Sequence, residues 1–289
     1  MTADFRIVVL PGDGIGPEVM AACLAVLGAQ QQSGSGWRLH FETHPGGAQC
    51  YADTGTAFPA LSMRAAREAD AVLFGAMGLP HVRYADGTEI APQLDLRDEL
   101  DLYAGVRPIR AIPGVPLPLA DPRARDIDLV IVRESTEGLF ASVGRGTLVD
   151  DREARDTMVI TRRGSARVHE FAFRLAERRR ARGRPGEVTC VDKANVFVSM
   201  AYFRKVFDEV AARHPGLRAR RHYVDATALD LVRRPWDFDV LVTENMFGDI
   251  LSDLAAGLVG GMGMAPSADI GDEHGLFQPC HGSAPDIAG

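Results

Sequence analysis

The stretch FDVLVTENMFGDILSDLAAG, residues 238–257, joins a short apolar run to an amphipathic segment. The run FDVLVT (238–243) predicts a buried β-strand, and the periodicity after it predicts a helix. Asp249 and Asp253 lie four residues apart, so they share one face of that helix. Like charges at this spacing weaken a helix by roughly a few tenths of a kcal/mol, which calls for compensation. Either the helix N-terminus stabilises both carboxylates, or a divalent cation binds them.

The same alternation of apolar runs and amphipathic helices continues through the rest of the chain. It predicts an α/β fold with a parallel or mixed sheet. The other predicted strands include FRIVVL (5–10), WRLHFET (37–43), AVLFGA (71–76), AGVRPIR (104–110), IDLVIVRE (127–134), TMVITR (157–162) and EVTCVD (187–192). The glycine-rich C-terminal stretch closes no core, so we expect the natural chain to continue beyond Gly289.

Composition excludes several classes of function. The 289 residues carry a net charge of −7 and no sustained basic stripe, which argues against nucleic acid as a partner. The four cysteines are far apart and form no C-x-x-C pair, which suits a reducing compartment. We see no signal peptide and no apolar run near the ~20 residues that a membrane span needs, so we expect a cytoplasmic protein without a membrane partner.

The segment PGDGIGPEV (11–19) is a glycine-rich turn between a predicted strand and a predicted helix. Its glycine spacing is G-x-G-x-G, whereas the dinucleotide fingerprint is G-x-G-x-x-G. No clear acidic residue ends the second strand, where a Rossmann ribose contact would lie. A tight turn without special function therefore explains the segment at least as well.

Three arginines lie at the ends of predicted elements: Arg97 on a helix, Arg107 in a strand, and Arg133 at the carboxyl end of a strand. Ligands of open α/β sheets gather at the carboxyl ends of strands. A guanidinium there can bind a carboxylate through two parallel hydrogen bonds. A surface salt bridge is the commoner role of any single arginine, but the three together favour a di- or tricarboxylate ligand.

Further polar residues follow two other strands. Lys193 and Asn195 come directly after EVTCVD, and Asp225 takes the equivalent place at the end of the predicted strand RARRHYVD (218–225). A lysine at a strand end can transfer a proton when its neighbours lower its pKa. Asp225, Asp249 and Asp253 would supply the hard oxygen ligands that Mg²⁺ or Mn²⁺ prefers.

Taken together, these residues resemble the isocitrate/isopropylmalate dehydrogenase family. The motifs occur in family order across almost the whole chain. They are LPGDGIGPEV, LRDELDLYAGVRP, VIVRESTEG, VDKANV, HYVDATALDLV, TENMFGDILSDLAAGL and HGSAPDIAG. The resemblance implies NAD(P)- and metal-dependent oxidative decarboxylation of an (R)-malate-type acid.

The resemblance also implies an architecture. We expect an isopropylmalate dehydrogenase-like fold of two α/β domains with a cleft between them. Residues 1–104 and 260–289 would form a cofactor-binding domain, and residues 105–259 would form the substrate, metal and dimerisation domain. The implied homodimer shares its active sites, with residues 141–156 as a clasp between subunits.

Site residues carry over from the family by matching motifs. Arg97, Arg107 and Arg133 match the positions that bind the substrate carboxylates. Asp225, Asp249 and Asp253 match the metal ligands. Lys193 matches the catalytic base. Asp225 is implied to be a catalytic residue as well as a metal ligand. In the family, both residues come from the neighbouring subunit. Asn195 matches its companion near substrate and nicotinamide.

The motif HGSAPDIAG implies the cofactor site. His281, Gly282, Ser283, Ala284 and Asp286 lie on the loop that holds NAD in the family. Asp286 matches the position where NAD users place an acid against the adenosine ribose. A carboxylate would repel the 2′-phosphate of NADP, so we expect NAD as the cofactor, with Mg²⁺ or Mn²⁺.

Two residues depart from the family pattern. Phe140 replaces the usual tyrosine that helps to deliver the final proton, and phenylalanine has no proton to donate. Gln93 lies four residues before Arg97, where isopropylmalate enzymes have an apolar residue. Gln93 favours a smaller or more polar substrate such as D-malate or tartrate, although Leu94 beside it could restore an apolar wall.

Three functions remain to be compared. The first is the decarboxylating dehydrogenase. The second is a ligand-binding or regulatory subunit of the same family that has lost turnover, which Phe140 suggests. The third is a phosphate-binding module built on the glycine turn, which leaves the arginines and aspartates unexplained.

Overall fold

The computed structural model describes residues 3–34 and 36–289. The chain divides into two compact units, one of Met1–Leu102 with Ser267–Gly289 and the other of Tyr103–Pro266. Both combine helices with β-strands, and the strand pairing is mixed parallel and antiparallel, which confirms the predicted α/β fold class. Within the described ranges, no helix has both the length and the apolar character that a membrane span requires.

In the described part of the first unit, five strands lie in an order that differs from their order in the sequence. Neighbouring strands are β2 (Trp37–Thr43), β1 (Ala3–Leu10), β3 (Ala71–Phe74), β12 (Gly275–Pro279) and β11 (Pro266–Ile270). β1 pairs in parallel with β2 and β3, and β12 pairs in parallel with β3. The helices are α1 (Gly16–Gln32), α2 (Ala48–Thr54), α3 (Ala60–Glu68) and α4 (Pro92–Glu99).

The glycine turn after β1 is built around a buried carboxylate. Gly12 has a φ of +85°, and a Cβ there would overlap the carbonyl oxygen of Ala76. The carboxylate of Asp13 accepts hydrogen bonds from the backbone N–H groups of Ala48 (2.7 Å), Gln49 (2.9 Å) and Gly78 (2.8 Å). A phosphate bound at this turn would need free backbone N–H groups, but these three already donate to the Asp13 carboxylate. This is a physical reason why the segment does not match the dinucleotide fingerprint.

The second unit has its own strand order. Neighbouring strands are β4 (Ala104–Arg110), β5 (Asp128–Glu134), β10 (Val240–Thr243), β8 (Glu187–Asp192) and β9 (Arg218–Tyr223). β4 is antiparallel to β5, and the remaining pairs are parallel. A separate antiparallel hairpin consists of β6 (Thr147–Val149) and β7 (Glu153–Arg155). The helices are α5 (Arg162–Arg180), α6 (Val198–Ala211), α7 (Val224–Arg233) and α8 (Asn245–Gly257).

The strand register of the second unit brings polar strand ends together. Thr243 at the end of β10 pairs with Arg133 of β5 on one side and with Val191 of β8 on the other. Asp192 of β8 pairs in turn with Tyr223 of β9. Because these strands are parallel, the segments that follow them start from one edge of the sheet.

Two sequence predictions need correction. The segment LDLRDELDLY (94–103) has helical periodicity, which predicts a helix over its whole length. The helix ends at Glu99, because the chain turns through Asp101, which has a φ of +46°. The strand predicted at TMVITR (157–162) is wrong, since within it only Val159 forms an isolated bridge, with Gly138. Thr161 caps α5 there by accepting a hydrogen bond from Gly164 N–H at 3.0 Å, which starts a helix in place of a strand.

Candidate active site

The helix that carries the two aspartates starts on a carboxylate cap. Glu244 accepts hydrogen bonds from the backbone N–H groups of Met246 (3.0 Å) and Phe247 (2.6 Å), and its burial raises the pKa of its carboxyl group. Asp249 and Asp253 follow one and two turns later, outside the first turn of α8. Glu244 therefore occupies the N-terminal end of the helix, where the helix dipole favours a carboxylate. The dipole does little to explain the two aspartates further along α8.

Arg133 and Asp249 are in direct contact. Arg133 lies at the end of β5 with only 3% of its surface exposed, and its Nη1 donates a hydrogen bond to Oδ1 of Asp249. Its Nε donates to Oδ1 of Asn245 at 2.8 Å. The guanidinium carbon also lies 5.0 Å from the ring centroid of Phe140, in a cation–π arrangement. Three residues singled out in the sequence, Arg133, Phe140 and Asp249, thus form one cluster.

Lys193 and Asp225 form a second cluster. Nζ of Lys193 lies 2.6 Å from Oδ1 of Asp225, and this hydrogen bond lowers the pKa of the Asp225 carboxyl group. Nζ also lies 5.9 Å from the ring centroid of Tyr223, the last residue of β9. Asn195 is exposed on the same turn after β8. The amine and the carboxylate face the same small region of the surface.

A buried ion pair holds the turn that carries Lys193. The carboxylate of Asp192 accepts hydrogen bonds from Nε (2.8 Å) and Nη2 (2.6 Å) of Arg204 on α6. The backbone N–H of Ala194 also donates to it, at 2.8 Å. Asp192 is fully buried, so this two-pronged pair fixes the backbone on either side of Lys193.

The predicted metal ligands do not all meet within one chain. In the described ranges, no group of three or more His, Cys, Asp or Glu side chains is arranged to hold a metal ion. Asp249 and Asp253 share one face of α8, whereas Asp225 lies with Lys193. Carboxylate oxygens are the ligands that a hard divalent cation prefers, and α8 offers the side chains of Asp249 and Asp253.

The remaining two arginines are buried. Arg97 on α4 contacts Asp269 of β11 through Nε and Nη2, each 3.1 Å from the carboxylate oxygen Oδ2. Asp269 also accepts from Nε2 of Gln278 at 2.8 Å. Arg107 on β4 donates from Nη1 to the carbonyl oxygen of Val106 at 3.2 Å. Arg97 therefore has an internal counter-charge, which sets its orientation within the first unit.

Gln93 begins the same helix face as Arg97, one turn earlier. Its Oε1 is buried and has no hydrogen-bond partner in the part of the chain that the structure describes. A buried acceptor without a donor is unfavourable by about 1–3 kcal/mol. Among the described residues, no donor therefore offsets the burial of this oxygen.

The loop HGSAPD packs against the glycine turn after β1. The carbonyl oxygen of Ser283 accepts from Ile15 N–H at 2.8 Å, and the Ser283 hydroxyl donates to the carbonyl oxygen of Gly78. Nδ1 of His281 lies 2.9 Å from the carbonyl oxygen of Gly282. Ala284 is in the left-handed region with a φ of +36°, and Asp286 is exposed in the following turn.

A family model described as isocitrate/isopropylmalate dehydrogenase matches residues 6–289. The chain belongs to this family. It is 45% identical over 285 residues to a 3-isopropylmalate/3-methylmalate dehydrogenase of Methanocaldococcus jannaschii, which covers 98% of this chain and 80% of that protein. It is also 41% identical over 292 residues to a homoisocitrate dehydrogenase of the same organism, covering 98% and 79%.

Solved structures agree with this assignment. The crystal structure of an isocitrate dehydrogenase from Methylococcus capsulatus superposes with a TM-score of 0.86 at 37% identity, covering 98% of this chain and 79% of that one. The isocitrate/isopropylmalate dehydrogenase family consists of decarboxylating dehydrogenases that act on a CH–OH group, and this chain is an enzyme of that class.

The sequence did not single out three residues that contact the predicted site residues or their neighbours. Asn245 was not singled out, although it precedes Asp249 by one helical turn and therefore shares its face. Asp13 was read only as part of a glycine turn. Asp269, the counter-charge of Arg97, is 172 residues away from it and carries no local signal.

Proposed function

We propose that the chain oxidatively decarboxylates an (R)-malate-type 2-hydroxy acid, using NAD and Mg²⁺ or Mn²⁺, as a homodimer with shared active sites. The observation that carries the proposal is the separation of two clusters within one chain. Lys193 pairs with Asp225, whereas Asp249 lies with Arg133. One cluster holds the proposed proton-transfer lysine, and the other holds an arginine and an aspartate proposed to bind substrate and metal. Two copies of the chain would therefore complete two sites.

Exposed apolar side chains support a second copy as the partner. They lie in the second unit, close in sequence to Lys193 and Asp225 and on α8. They are Val196, Phe197, Val198, Leu229, Val232 and Ile250. Apolar residues exposed around functional groups are typical of an interface.

In the proposed site, Asp249 and Asp253 of one subunit and Asp225 of the other would hold the cation. A cation held by these carboxylates would supply Lewis-acid stabilisation of the negative charge that develops during loss of CO₂. The hydrogen bond from Nζ of Lys193 lowers the pKa of the Asp225 carboxyl group, which favours the ionised form that a metal ligand needs.

The proposed roles of this chain's own residues follow their chemistry. Arg97, Arg107 and Arg133 would bind the substrate carboxylates through charge-assisted hydrogen bonds. Nζ of Lys193 would take the hydroxyl proton of the substrate when it is in the neutral amine form. Asn195, exposed beside it, would contact substrate and nicotinamide.

The proposed cofactor site is the loop of His281, Gly282, Ser283, Ala284 and Asp286. It is supported by the close packing of Ser283 on the glycine turn, which fixes the backbone of the loop. The exposed carboxylate of Asp286 would accept hydrogen bonds from the adenosine ribose and repel a 2′-phosphate. We therefore expect a higher kcat/KM with NAD than with NADP, and Asp286→Arg should reduce that preference.

The unsatisfied oxygen of Gln93 supports a small or polar substrate. An isopropyl group beside Oε1 would leave this acceptor unpaired, whereas a hydroxyl group or water could satisfy it. D-malate and tartrate therefore rank ahead of isopropylmalate in this proposal. The Gln93→Leu variant should shift the preference towards isopropylmalate.

Phe140 supports a second candidate, a ligand-binding or regulatory subunit without turnover. The residue lies over Arg133 with a ring that offers no proton. The complete set of Lys193, the three arginines and the three aspartates favours the enzyme.

The deciding experiment follows NADH absorbance with Mn²⁺ and a panel of D-malate, L-tartrate, isopropylmalate, isocitrate and homoisocitrate. Turnover of one acid, abolished in Asp249→Asn with the fold intact by circular dichroism, supports the enzyme. Binding of NADH and acid without turnover in a folded dimer supports the silent subunit. Activity that is unaffected by a chelator would overturn the metal site.

A further inference from the structure

Asn245 uses both ends of its side-chain amide on different elements. Its Oδ1 accepts a hydrogen bond from Nε of Arg133 at 2.8 Å, and its Nδ2 donates to the carbonyl oxygen of Glu137 at 2.9 Å. The residue is 1% exposed, so both contacts are shielded from water. Asn245 therefore connects the end of β5 and the turn after it to the first residue of α8.

Arg133 is held along its whole length. Asn245 fixes Nε, and Asp249 accepts from Nη1. The stem of Arg133 packs against the helix backbone at Gly248, where an added Cβ would lie 2.6 Å from the arginine Cβ. If the guanidinium group of Arg133 rotated out of its present plane, Nε would lose its hydrogen bond to Asn245. That bond therefore sets the orientation of the plane.

The turn after β5 is locked by the same residue. Gly138 has a φ of +81° and lies so close to α8 that an added Cβ would be 3.0 Å from Cβ of Asn245. Phe140, two residues later, lies over the guanidinium of Arg133. The contact of Asn245 with Glu137 therefore also fixes the approach of Phe140 to Arg133.

We infer that Asn245 is a positioning residue, which aims the guanidinium of Arg133 at the substrate carboxylate and ties the Glu137–Phe140 turn to the aspartate-bearing helix. This inference rests on the proposed role of Arg133 in substrate binding. Two parallel hydrogen bonds to a carboxylate need a guanidinium plane of fixed orientation. Small misplacement of such a group weakens binding and catalysis without direct contact with the reacting atoms.

Two variants separate positioning from general stability. Asn245→Ala removes both hydrogen bonds, and we expect KM for the acid to rise by about tenfold or more, with KM for NAD unchanged. Asn245→Asp has the same shape and keeps the acceptor for Nε of Arg133 but loses the donor to the Glu137 carbonyl, so it should recover only the part of the loss that comes from the orientation of Arg133. The matched control is Thr243→Val, which removes the buried hydrogen bond from the Thr243 hydroxyl to the Val191 carbonyl (2.9 Å). It should lower the melting temperature and leave KM for the acid unchanged.

A second measurement does not depend on turnover. The Nε–H signal of Arg133, assigned by its loss in Arg133→Lys, should exchange slowly with water in the wild-type dimer and rapidly in Asn245→Ala. Slow exchange in Asn245→Ala, or equal KM values for Asn245→Ala and Thr243→Val, would overturn the inference. A wild-type protein that turns over no acid would instead overturn the proposed function, while the Arg133 signal would still decide the role of Asn245.

Discussion

Nζ of Lys193 lies 2.6 Å from Oδ1 of Asp225, and the two residues follow neighbouring parallel strands, β8 and β9. Asp249 lies on α8, the helix that follows β10 at the same edge of the sheet, and it contacts Arg133. Lys193, the proposed proton-transfer residue, and two of the proposed metal ligands are thus distributed over two clusters in one chain. This division is the basis of the first prediction.

Two inactive variants should restore activity when they form a mixed dimer. Lys193→Ala and Asp249→Ala each remove one cluster, and each homodimer should be inactive. In a mixed dimer, one site receives Lys193 from one subunit and Asp249 from the other, and is therefore complete. Random mixing makes half of the dimers mixed, so co-expression should give about a quarter of wild-type activity. Steady-state rates of the purified co-expressed protein measure this.

A double variant provides the control. Lys193→Ala and Asp249→Ala in the same chain, mixed with wild type, leave every site of the mixed dimer defective. If the two single variants in separate chains recover nothing beyond their own homodimer rates, while the mixed dimer is shown to form, the shared site is wrong.

Phe140→Tyr should increase turnover. The ring already lies 5.0 Å from the guanidinium carbon of Arg133, and tyrosine preserves that contact while adding an acidic hydroxyl group. A well-placed general acid contributes about 10²–10⁴-fold, so kcat should rise by about tenfold or more if proton delivery limits the rate. The measurement is kcat with the best acid of the panel, together with its solvent isotope effect.

Phe140→Leu tests the contribution of the aromatic ring apart from that of the hydroxyl group added in Phe140→Tyr. It removes the aromatic face over Arg133, so KM for the acid should increase by up to about fivefold, in line with about 1 kcal/mol for a cation–π contact. Unchanged kcat in Phe140→Tyr, with an unchanged isotope effect, would mean that another group delivers the proton.

The sequence alone predicted those parts of the fold that have strong local signals. Apolar runs such as FRIVVL became β1, whose residues Val8, Val9 and Leu10 are fully buried. The weaker pattern TMVITR was misread, because Thr161 serves as a helix cap there. Local periodicity predicts an element well when burial supports it and poorly when a capping residue interrupts it.

Partners distant in sequence could not be predicted. Arg97 was singled out, but its contact with Asp269 depends on α4 meeting β11 in the folded first unit. Similarly, Asn245 and Arg133 are 112 residues apart. The sequence motifs therefore predict which side chains belong to the candidate site. The hydrogen-bond partners that orient those side chains are visible only in the three-dimensional structure.

Asp269→Asn should destabilise the first unit. The change leaves the guanidinium of Arg97, which is 7% exposed, without its counter-charge. Removing one partner of a buried ion pair costs about 3–5 kcal/mol. Urea unfolding followed by circular dichroism should therefore show a clearly lower midpoint.

Gln278→Met is the matched variant for that test. It removes the neutral hydrogen bond from Gln278 to Asp269 and keeps a side chain of similar volume, so it should cost only about 1 kcal/mol. Equal losses in the two variants would mean that the charge of Asp269 is not what stabilises Arg97.

We expect His169 to make the stability of the second unit depend on pH. The ring is fully buried between Phe203 and Phe207, with centroid distances of 4.3 and 5.3 Å. Nε2 lies 3.1 Å from the carbonyl oxygen of Phe203, and Nδ1 has no partner among the described residues. Burial lowers the pKa of His169 to about 3, because the charged form cannot be hydrated there.

The direction of the pH effect follows from that lowered pKa. Between about pH 6.5 and pH 3 the unfolded chain binds a proton at His169 that the folded chain does not bind, so the free energy of unfolding falls as the pH falls. The loss is at most about 1.4 kcal/mol per pH unit, and above pH 6.5 the contribution is complete. His169→Phe should reduce this slope between pH 6.5 and pH 5 in urea titrations. An unchanged slope in His169→Phe would mean that protonation of His169 does not contribute to acid unfolding.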